Sequence, residues 1–265
     1  MQCDAGDKIT NILKSFYESA FGKVIAEKYS HGARIRIIKK GPYKELIYNN
    51  TVFSRIVEGR LLTGSYWDYF LPLPSLFENP KILIIGLGGG TIPYQMESLY
   101  SNASIDVIEI DEAIASMYKI FVGKNLRSNI ILGDGIEYME SHGNMYDLVI
   151  LDAYVDDNMP TEFFSDRMIN AADSSLKEKG VLAINYTLTS FGIANSKKLT
   201  TSLARMFEVY TLSMPPISGN RVVICSKGVN AEKLKEIGTL PRLKEAHAYI
   251  TKAYFNMDED NQEVI

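Results

Sequence analysis

Four groups that could bind a nucleoside follow short apolar runs, one group after each run. The run at 81–85 is followed by the glycines of "GLGGGT", and later runs end at Glu109, Asp134 and Asp152. Glycines let main-chain N–H groups approach a ligand where the next helix begins, and an acid about 20 residues further on can accept both ribose hydroxyls. Since ligands of open α/β sheets bind beyond the carboxyl ends of the strands, the pattern predicts a nucleoside site.

Each group also has a structural interpretation. The glycines fit a tight turn between strand and helix, and Thr91 stands where the dinucleotide pattern G-x-G-x-x-G needs its third glycine. Asp111 and Asp134 each precede a helical pattern and could cap it. Asp152 follows only apolar residues, so it either faces the ligand or is a buried acid without an obvious purpose. The four groups in this order favour an S-adenosyl nucleoside over a nicotinamide dinucleotide.

The elements that must position these groups form an α/β fold. Apolar runs alternate with helical segments over residues 81–86, 104–110, 129–134, 146–152 and 180–186, followed by a helix at about 193–206. This alternation indicates a parallel sheet covered on both faces. The last two strands, 207–214 and 220–228, are joined only by "PPISG", which is too short for a parallel crossover. We therefore predict a seven-stranded, class I methyltransferase-like (Rossmann-like) sheet that ends in an antiparallel hairpin.

The residues before this sheet follow different patterns. Apolar spacing over 8–29 predicts an amphipathic helix, alternation over 33–57 predicts a small antiparallel β unit, and 59–77 is an apolar, aromatic helix in this interpretation. The predicted organisation has three parts: 1–78 is an N-terminal helix with a small β domain, 79–230 is a nucleoside-binding catalytic domain, and 231–265 is a C-terminal helix with an acidic tail.

Composition narrows the function further. The 265 residues carry a net charge of −4 with no basic face, which argues against a nucleic-acid partner. No run approaches the ~18 apolar residues of a membrane span, and the acidic first residues do not fit a signal peptide. Cys3 and Cys225 lie far apart and the three histidines are scattered, so we expect neither a disulfide framework nor a metal site. These features predict a cytoplasmic protein.

Several motifs, in one order, resemble the polyamine aminopropyltransferase family, of which spermidine synthase is the best-known member. They are "ILIIGLGGGT", "DVIEID", "ILGDGIEYM", "YDLVILDAY" and "MPTEFFSDRMINAADSSLKEKGVLAIN". The similarity covers roughly residues 33–228 and includes the N-terminal β unit, which ordinary methyltransferases lack. The resemblance implies transfer of an aminopropyl group from decarboxylated S-adenosylmethionine to a small amine such as putrescine, without a metal, in a homodimer or tetramer.

The resemblance also implies roles for individual residues. Asp152 would help to remove the proton of the reacting amine, with Tyr66 or Tyr154 beside it, and Trp67 and Asp68 would contact the amine substrate. The implied cofactor site consists of Gly86, Gly88, Gly89, Gly90, Glu109, Ile110, Asp134, Gly135 and Asp152.

Some positions depart from the family pattern. Gly89 replaces an aspartate that would pair with the donor's amine and repel the carboxylate of intact S-adenosylmethionine. Trp67 replaces a histidine, Phe53 falls where glutamine is frequent, and "DAYVD" replaces D-S-S/T-D-P. An S-adenosylmethionine-dependent methyltransferase on the same fold is therefore the main alternative. A nicotinamide oxidoreductase and a non-catalytic nucleoside-binding protein are the other two.

Overall fold

The computed structural model describes residues 21–154, 159–215, 219–239 and 247–259, without the side chains of 188–194 and 259. The first part of the chain forms a four-stranded antiparallel sheet in which each strand pairs with the next along the chain. Its strands are β1 (Lys23–Ser30), β2 (Ala33–Lys40), β3 (Tyr43–Tyr48) and β4 (Thr51–Val57). This sheet is the small β unit that the alternating pattern predicts.

The second sheet has seven main strands and a two-residue strand at one edge, in the order β12-β10-β11-β9-β8-β5-β6-β7. Strands β5 to β9 pair in parallel, whereas β11 is antiparallel to both β9 and β10. The predicted seven-stranded sheet with a terminal hairpin is therefore confirmed. The strands are β5 (Lys81–Ile85), β6 (Ser104–Glu109), β7 (Asn129–Leu132), β8 (Tyr146–Leu151), β9 (Leu176–Thr187), β10 (Glu208–Thr211), β11 (Asn220–Ser226) and β12 (Asp258–Glu259).

Helices connect these strands. They are α1 (Thr91–Leu99), α2 (Glu112–Val122), α3 (Gly135–Ser141), α4 (Asp166–Ser175), α5 (Leu188–Leu203), α6 (Ala231–Ile237) and α7 (Ala248–Phe255). Short 3₁₀ helices span Tyr66–Phe70, Leu73–Leu76 and Thr161–Phe164. Within the described ranges, no helix combines the length and the apolar character that a bilayer span requires.

The core lies on both faces of the second sheet. Alternate residues of β5 enter different clusters, with Ile82 and Ile84 on one side and Leu83 and Ile85 on the other. This burial on both faces explains why the parallel strands are continuous apolar runs in the sequence. A third cluster joins the small sheet to α2 through Phe121 and its neighbours. The small sheet is thereby held next to the carboxyl ends of the parallel strands.

The helix predicted over 8–29 is not formed in its second half. Lys23–Ser30 is strand β1, and it pairs along its whole length with β2. Val24 and Ile25 are exposed, so the apolar spacing that predicts a helix does not correspond to a buried face here. Backbone pairing with β2 outweighs the local pattern in this segment. Residues 8–20 lie outside the described residues.

The helix predicted over 59–77 is instead two 3₁₀ helices, Tyr66–Phe70 and Leu73–Leu76. Gly59 and Gly64 have positive φ angles of 74°, which an α-helix cannot accommodate. Pro72 and Pro74 lack the N–H groups that a continuous helix needs further along. The segment is therefore compact and mostly buried, but it is not a regular α-helix.

The remaining differences lie near the end of the chain. Helix α5 begins at Leu188, earlier than predicted, and two helices, α6 and α7, follow the hairpin instead of one. Asp258–Glu259 of the predicted tail pairs with β10, while the residues from 260 onward lie outside the described part. The division of the chain into three parts at 78/79 and 230/231 stays a prediction.

Candidate active site

A cavity of about 590 Å³ lies beyond the carboxyl ends of β5, β6 and β8, under the small sheet. The parallel strands and the segments that follow them contribute Gly86, Gly88, Glu109, Ile110, Asp134, Gly135, Asp152 and Tyr154 to its lining. The small sheet and the first 3₁₀ helix contribute Thr51, Val52, Phe53 and Tyr66. The structure therefore brings most of the sequence-predicted residues to one site, made by both sheets.

The glycine turn approaches the neighbouring strand end and the small sheet closely. A Cβ atom at Gly86 would overlap the main-chain carbonyl oxygen of Asp152, and one at Gly88 would lie 2.8 Å from the Oγ of Ser54. Both glycines also have positive φ angles, 97° and 53°. Only glycine meets both conditions without strain, so these two residues allow the main chain to line the cavity.

Gly89 and Gly90 are not among the residues that line the cavity, and their role in the cofactor site stays a prediction. The N–H of Gly89 donates to the Oγ of Ser54 at 2.7 Å. A Cβ atom at Gly89 would lie 2.6 Å from the ring of Phe121, so a side chain there would point into the packing of α2. The turn therefore directs this position toward α2.

Glu109 lies at the end of β6 and is almost fully buried. Its Oε2 accepts from the N–H of Leu87 at 3.0 Å, and its Oε1 accepts from the N–H of Asp111 at 2.9 Å. Burial raises the pKa of Glu109, and the main-chain hydrogen bonds oppose that rise. The carboxylate is thus held at a fixed place in the cavity wall, while its oxygens retain lone pairs for a ligand.

Asp134 both caps a helix and lines the cavity. Its Oδ1 accepts from the N–H groups of Ile136 and Glu137 at 2.8 and 3.0 Å, at the start of α3. Asp134 is exposed, and Oδ2 is not used in these bonds. The capping and ligand-binding interpretations are therefore compatible, because one oxygen suffices for the cap. Asp111, which was also predicted to be a cap, caps α2 through Ala113 and Ile114.

Asp152 follows β8 and is held by two hydrogen bonds. Its Oδ2 accepts from the hydroxyl of Tyr66 at 3.2 Å, and its Oδ1 accepts from Nδ2 of Asn185 at 2.7 Å. Burial raises the pKa of Asp152 from 3.8 to about 7, against the two hydrogen bonds, which lower it. The pKa of Tyr66 is raised by burial and by the charge of Asp152, so Tyr66 keeps its proton at neutral pH and is a hydrogen-bond donor to this carboxylate.

Tyr154 lines the same cavity but has a different partner. Its hydroxyl donates to the main-chain oxygen of Asn185 at 3.3 Å. Burial raises the pKa of Tyr154, and the nearby charge of Asp152 adds to the rise. Of the two tyrosines predicted beside Asp152, the structure therefore joins Tyr66 directly to the carboxylate and places Tyr154 next to it through Asn185.

Trp67 and Asp68 lie outside the cavity lining. Trp67 is buried against Tyr66, with ring centroids 4.5 Å apart. Asp68 is fully buried and accepts hydrogen bonds from Thr63, Gly64, Ser65, Gln95 and Tyr249. The carboxylate is already saturated by protein donors, so the substrate contact that the resemblance implies for these two residues has no geometric support.

The sequence did not point to several residues at or beside the cavity. Asn185, which holds Asp152, and Asn220, which lines the cavity, come from β9 and β11. Arg167 lies at the other end and binds Glu140 through two hydrogen bonds of 2.7 Å. A signal for Asn185 does exist, because it is the one amide within the apolar run "GVLAINY". Among the described residues, no group of three or more His, Cys, Asp or Glu side chains could hold a metal ion.

The sheet topology, with a cavity beyond the carboxyl ends of the parallel strands, defines an α/β fold of the class I methyltransferase type. Within that class, residues 70–236 match the model of the spermine/spermidine synthase domain. Because this match covers more than half of the chain, the chain belongs to that family.

Individual relatives agree with this assignment. The chain is 29% identical over 168 residues to a polyamine aminopropyltransferase from Vibrio vulnificus, covering 60% of this chain and 56% of that protein. It is 28% identical over 232 residues to one from Thermoanaerobacter sp., covering 78% and 82%. The chain thus spans about half the length of the Vibrio protein. A crystal structure of spermidine synthase with the transition-state analogue AdoDATO matches with a TM-score of 0.67 at 20% identity, covering 89% of this chain and 86% of that one, which shows the shared fold.

Proposed function

We propose that this protein transfers an aminopropyl group from decarboxylated S-adenosylmethionine to a small amine such as putrescine. The observation that carries the proposal is the carboxylate of Asp152, which Tyr66 and Asn185 hold in the same cavity as Glu109. Family membership supports the class of reaction. Asp152, the acid for the amine, follows β8, and Glu109, the acid for the ribose, ends β6. The glycine turn follows β5, which lies between these two strands in the sheet.

The nucleoside would bind along the ends of β5, β6 and β7. Glu109 would accept the ribose hydroxyls, and the Oδ2 of Asp134 would accept from the exocyclic amine of adenine. Ile110 and the main chain of Gly135 would contact the base. Gly86 and Gly88 would allow the methionine-derived part to lie against the main chain. All of these groups line the cavity, which supports this arrangement.

The amine would react at the end of β8. An alkyl ammonium has a pKa of about 10, so it must lose a proton before its nitrogen can attack. Asp152 would accept this proton, and Tyr66 would hold the carboxylate in place. The nitrogen lone pair then forms a bond to the carbon beside the sulfonium, and the C–S electron pair returns to sulfur. The products are the lengthened amine and 5′-methylthioadenosine, and positioning supplies much of the rate.

The sequence associates the form of the donor with Gly89, a residue outside the cavity lining. This position carries no acid, and its N–H already binds Ser54. The carboxylate of intact S-adenosylmethionine would therefore meet no repulsion from this residue. Family membership does not favour the methyltransferase alternative, and we propose the decarboxylated form as the donor. The two donors must nevertheless be compared directly.

The test incubates the protein with putrescine and each donor in turn, and products are identified by mass spectrometry. We expect 5′-methylthioadenosine and spermidine from the decarboxylated donor, and no product from Asp152→Asn under the same conditions. Methylated amine and S-adenosylhomocysteine from the intact donor would instead support the methyltransferase. Binding of either nucleoside without any turnover would contradict both and favour a non-catalytic nucleoside-binding protein.

We also propose that the substrate is a small-molecule amine, that the protein forms a homodimer or tetramer, and that it is located in the cytoplasm. The exposed side chains of Phe21 and Tyr29 beside and on β1 support a self-association surface. Light scattering coupled to size-exclusion chromatography would measure the mass of the assembly. A monomer at micromolar concentration would contradict the proposed oligomer.

A further inference from the structure

Asn185 is a fully buried polar residue in the middle of an apolar strand. It lies in β9 between Ile184 and Tyr186, and β9 pairs with β8 on one side and β11 on the other. Burial of an amide without hydrogen-bond partners is costly, so its groups need partners inside the protein. Both side-chain partners of Asn185 belong to the site.

Three hydrogen bonds connect Asn185 to the cavity. Its Nδ2 donates to the Oδ1 of Asp152 at 2.7 Å, and its Oδ1 accepts from the Nδ2 of Asn220 at 3.0 Å. Its main-chain oxygen accepts from the hydroxyl of Tyr154. The two ends of a side-chain amide have nearly the same shape but opposite hydrogen-bonding character. Since Asn220 donates to the oxygen end, the NH₂ end is turned toward Asp152.

We propose that Asn185 is a positioning residue for the transfer reaction, which holds Asp152 so that Oδ2 faces Tyr66 and the cavity. Asn220 fixes the orientation of the Asn185 amide by donating a hydrogen bond to its Oδ1. This inference rests on the proposed function, because it assigns Asp152 as the group that receives the proton. It adds a chain of three residues, Asn220 to Asn185 to Asp152, that runs across three strands of the sheet.

The hydrogen bond from Asn185 also favours the ionised carboxylate. Burial alone would keep the carboxyl of Asp152 protonated, and the donors Asn185 and Tyr66 oppose this. The titratable groups that face Asp152 are Tyr66 and Tyr154, while the carboxyls of Glu109, Asp134 and Glu162 and the guanidinium of Arg167 line the same cavity. Removing the donor at Asn185 changes none of these charges, so its effect on the titration of Asp152 can be isolated.

The test measures this titration directly. The side-chain carboxyl carbons of aspartate are labelled with ¹³C, and the signal of Asp152 is identified by its loss in Asp152→Asn. In Asn185→Leu, which removes the donor at similar volume, we expect the pKa of Asp152 to rise by about one to two units. The low-pH limb of kcat for aminopropyl transfer should move upward by the same amount.

Two further variants provide controls. Asn220→Ala leaves the amide of Asn185 free to rotate, so we expect a smaller shift in the same direction. Ile184→Val alters the adjacent residue of β9, which packs in the apolar core, and should leave the titration of Asp152 unchanged. If Asn185→Leu does not fold, the shift in Asn220→Ala decides the question.

Each outcome decides between the alternatives. An unchanged pKa of Asp152 in Asn185→Leu, or in Asn220→Ala where only that variant folds, overturns the positioning role. A loss of activity without any shift in the titration would likewise identify Asn185 as merely structural. The titration does not depend on turnover. If the variants show the expected pKa shifts but the wild-type protein transfers no aminopropyl group, the result would therefore contradict the proposed function and not the contact between Asn185 and Asp152.

Discussion

Asp152→Asn should inactivate the protein and at the same time stabilise its fold at pH 8. The replacement has the same shape, and the new amide can still accept from Asn185 and can donate to the hydroxyl of Tyr66. It cannot accept a proton from an ammonium ion, so turnover should fall by at least about two orders of magnitude. The other effect of the substitution is the removal of a half-buried charge.

The size and sign of the stability change follow from the pKa of Asp152, which rises from 3.8 in the free side chain to about 7 in the folded protein. A group with a raised pKa contributes most stability at low pH and loses this contribution as pH rises toward the folded-state value. The full shift corresponds to about 4 kcal/mol. Because Asp152 lies in an open cavity and is only half-buried, we expect a gain of about 1–3 kcal/mol for Asp152→Asn at pH 8.

Urea unfolding followed by fluorescence at pH 5, 6, 7 and 8 measures this difference. The free energy of unfolding of the variant, relative to wild type, should increase from pH 5 to about pH 7, the folded-state pKa of Asp152, and level off by pH 8. Thr187→Ser alters a neutral cavity residue and keeps Asp152, so its difference from wild type should not change with pH. A variant that is less stable at pH 8, or a difference that is the same at every pH, would refute the reasoning.

Other predictions concern the neighbouring groups. With saturating amine, kcat of the wild-type protein should fall about tenfold from pH 8 to pH 6 as Asp152 is protonated, and a flat profile would argue against its role as the base. Glu109→Gln should weaken nucleoside binding by about 10- to 100-fold in calorimetry, whereas unchanged affinity would remove Glu109 from the site. Gly89→Ala should cost about 1–3 kcal/mol of stability in urea unfolding because its Cβ meets Phe121, and Phe121→Leu should relieve part of this cost. Asp68→Ala should destabilise the fold by about 2 kcal/mol or more but leave the kcat of the folded fraction unchanged; a selective loss of kcat would restore Asp68 to the site.

The second sheet could be predicted from sequence because its strands are buried on both faces. Runs such as Ile82–Ile85 and Leu148–Leu151 contain no polar residue, and the spacing between runs leaves room only for helices. The hairpin followed from a connection too short for a crossover. In these cases the local pattern and the global topology require the same arrangement.

The prediction of a helix was wrong at residues 23–30, because local apolar spacing does not show with which segment the backbone pairs. Val24 and Ile25 fit a helical stripe, but the strand is held by the backbone of β2, and such pairing leaves no mark in the sequence of β1 itself. Trp67 and Asp68 illustrate a second limit. Residue type and family position suggest a substrate contact, yet the direction of each side chain depends on backbone φ angles, such as those of Gly59 and Gly64, that only the folded chain defines.

Asn185 illustrates a third limit. An amide within an apolar run is unusual, but the sequence does not say which group it meets. Its partners, Asp152 and Asn220, lie 33 and 35 positions away, on the strands that flank β9 on either side. The strand order is therefore needed before the chemistry of this residue can be stated, even though its burial could be foreseen.

The glycine turn is where the two sheets of the molecule meet. Ser54 of β4 accepts from the N–H of Gly89, and the hydroxyl of Thr91 both accepts from the N–H of Arg55 and donates to its carbonyl oxygen. The turn and the start of α1 are thus hydrogen-bonded to the small sheet, and no acid at residue 89 is needed to hold the turn. An aspartate there would also collide with Phe121. The glycine is therefore explained by packing alone, so its presence is not evidence that intact S-adenosylmethionine is the donor.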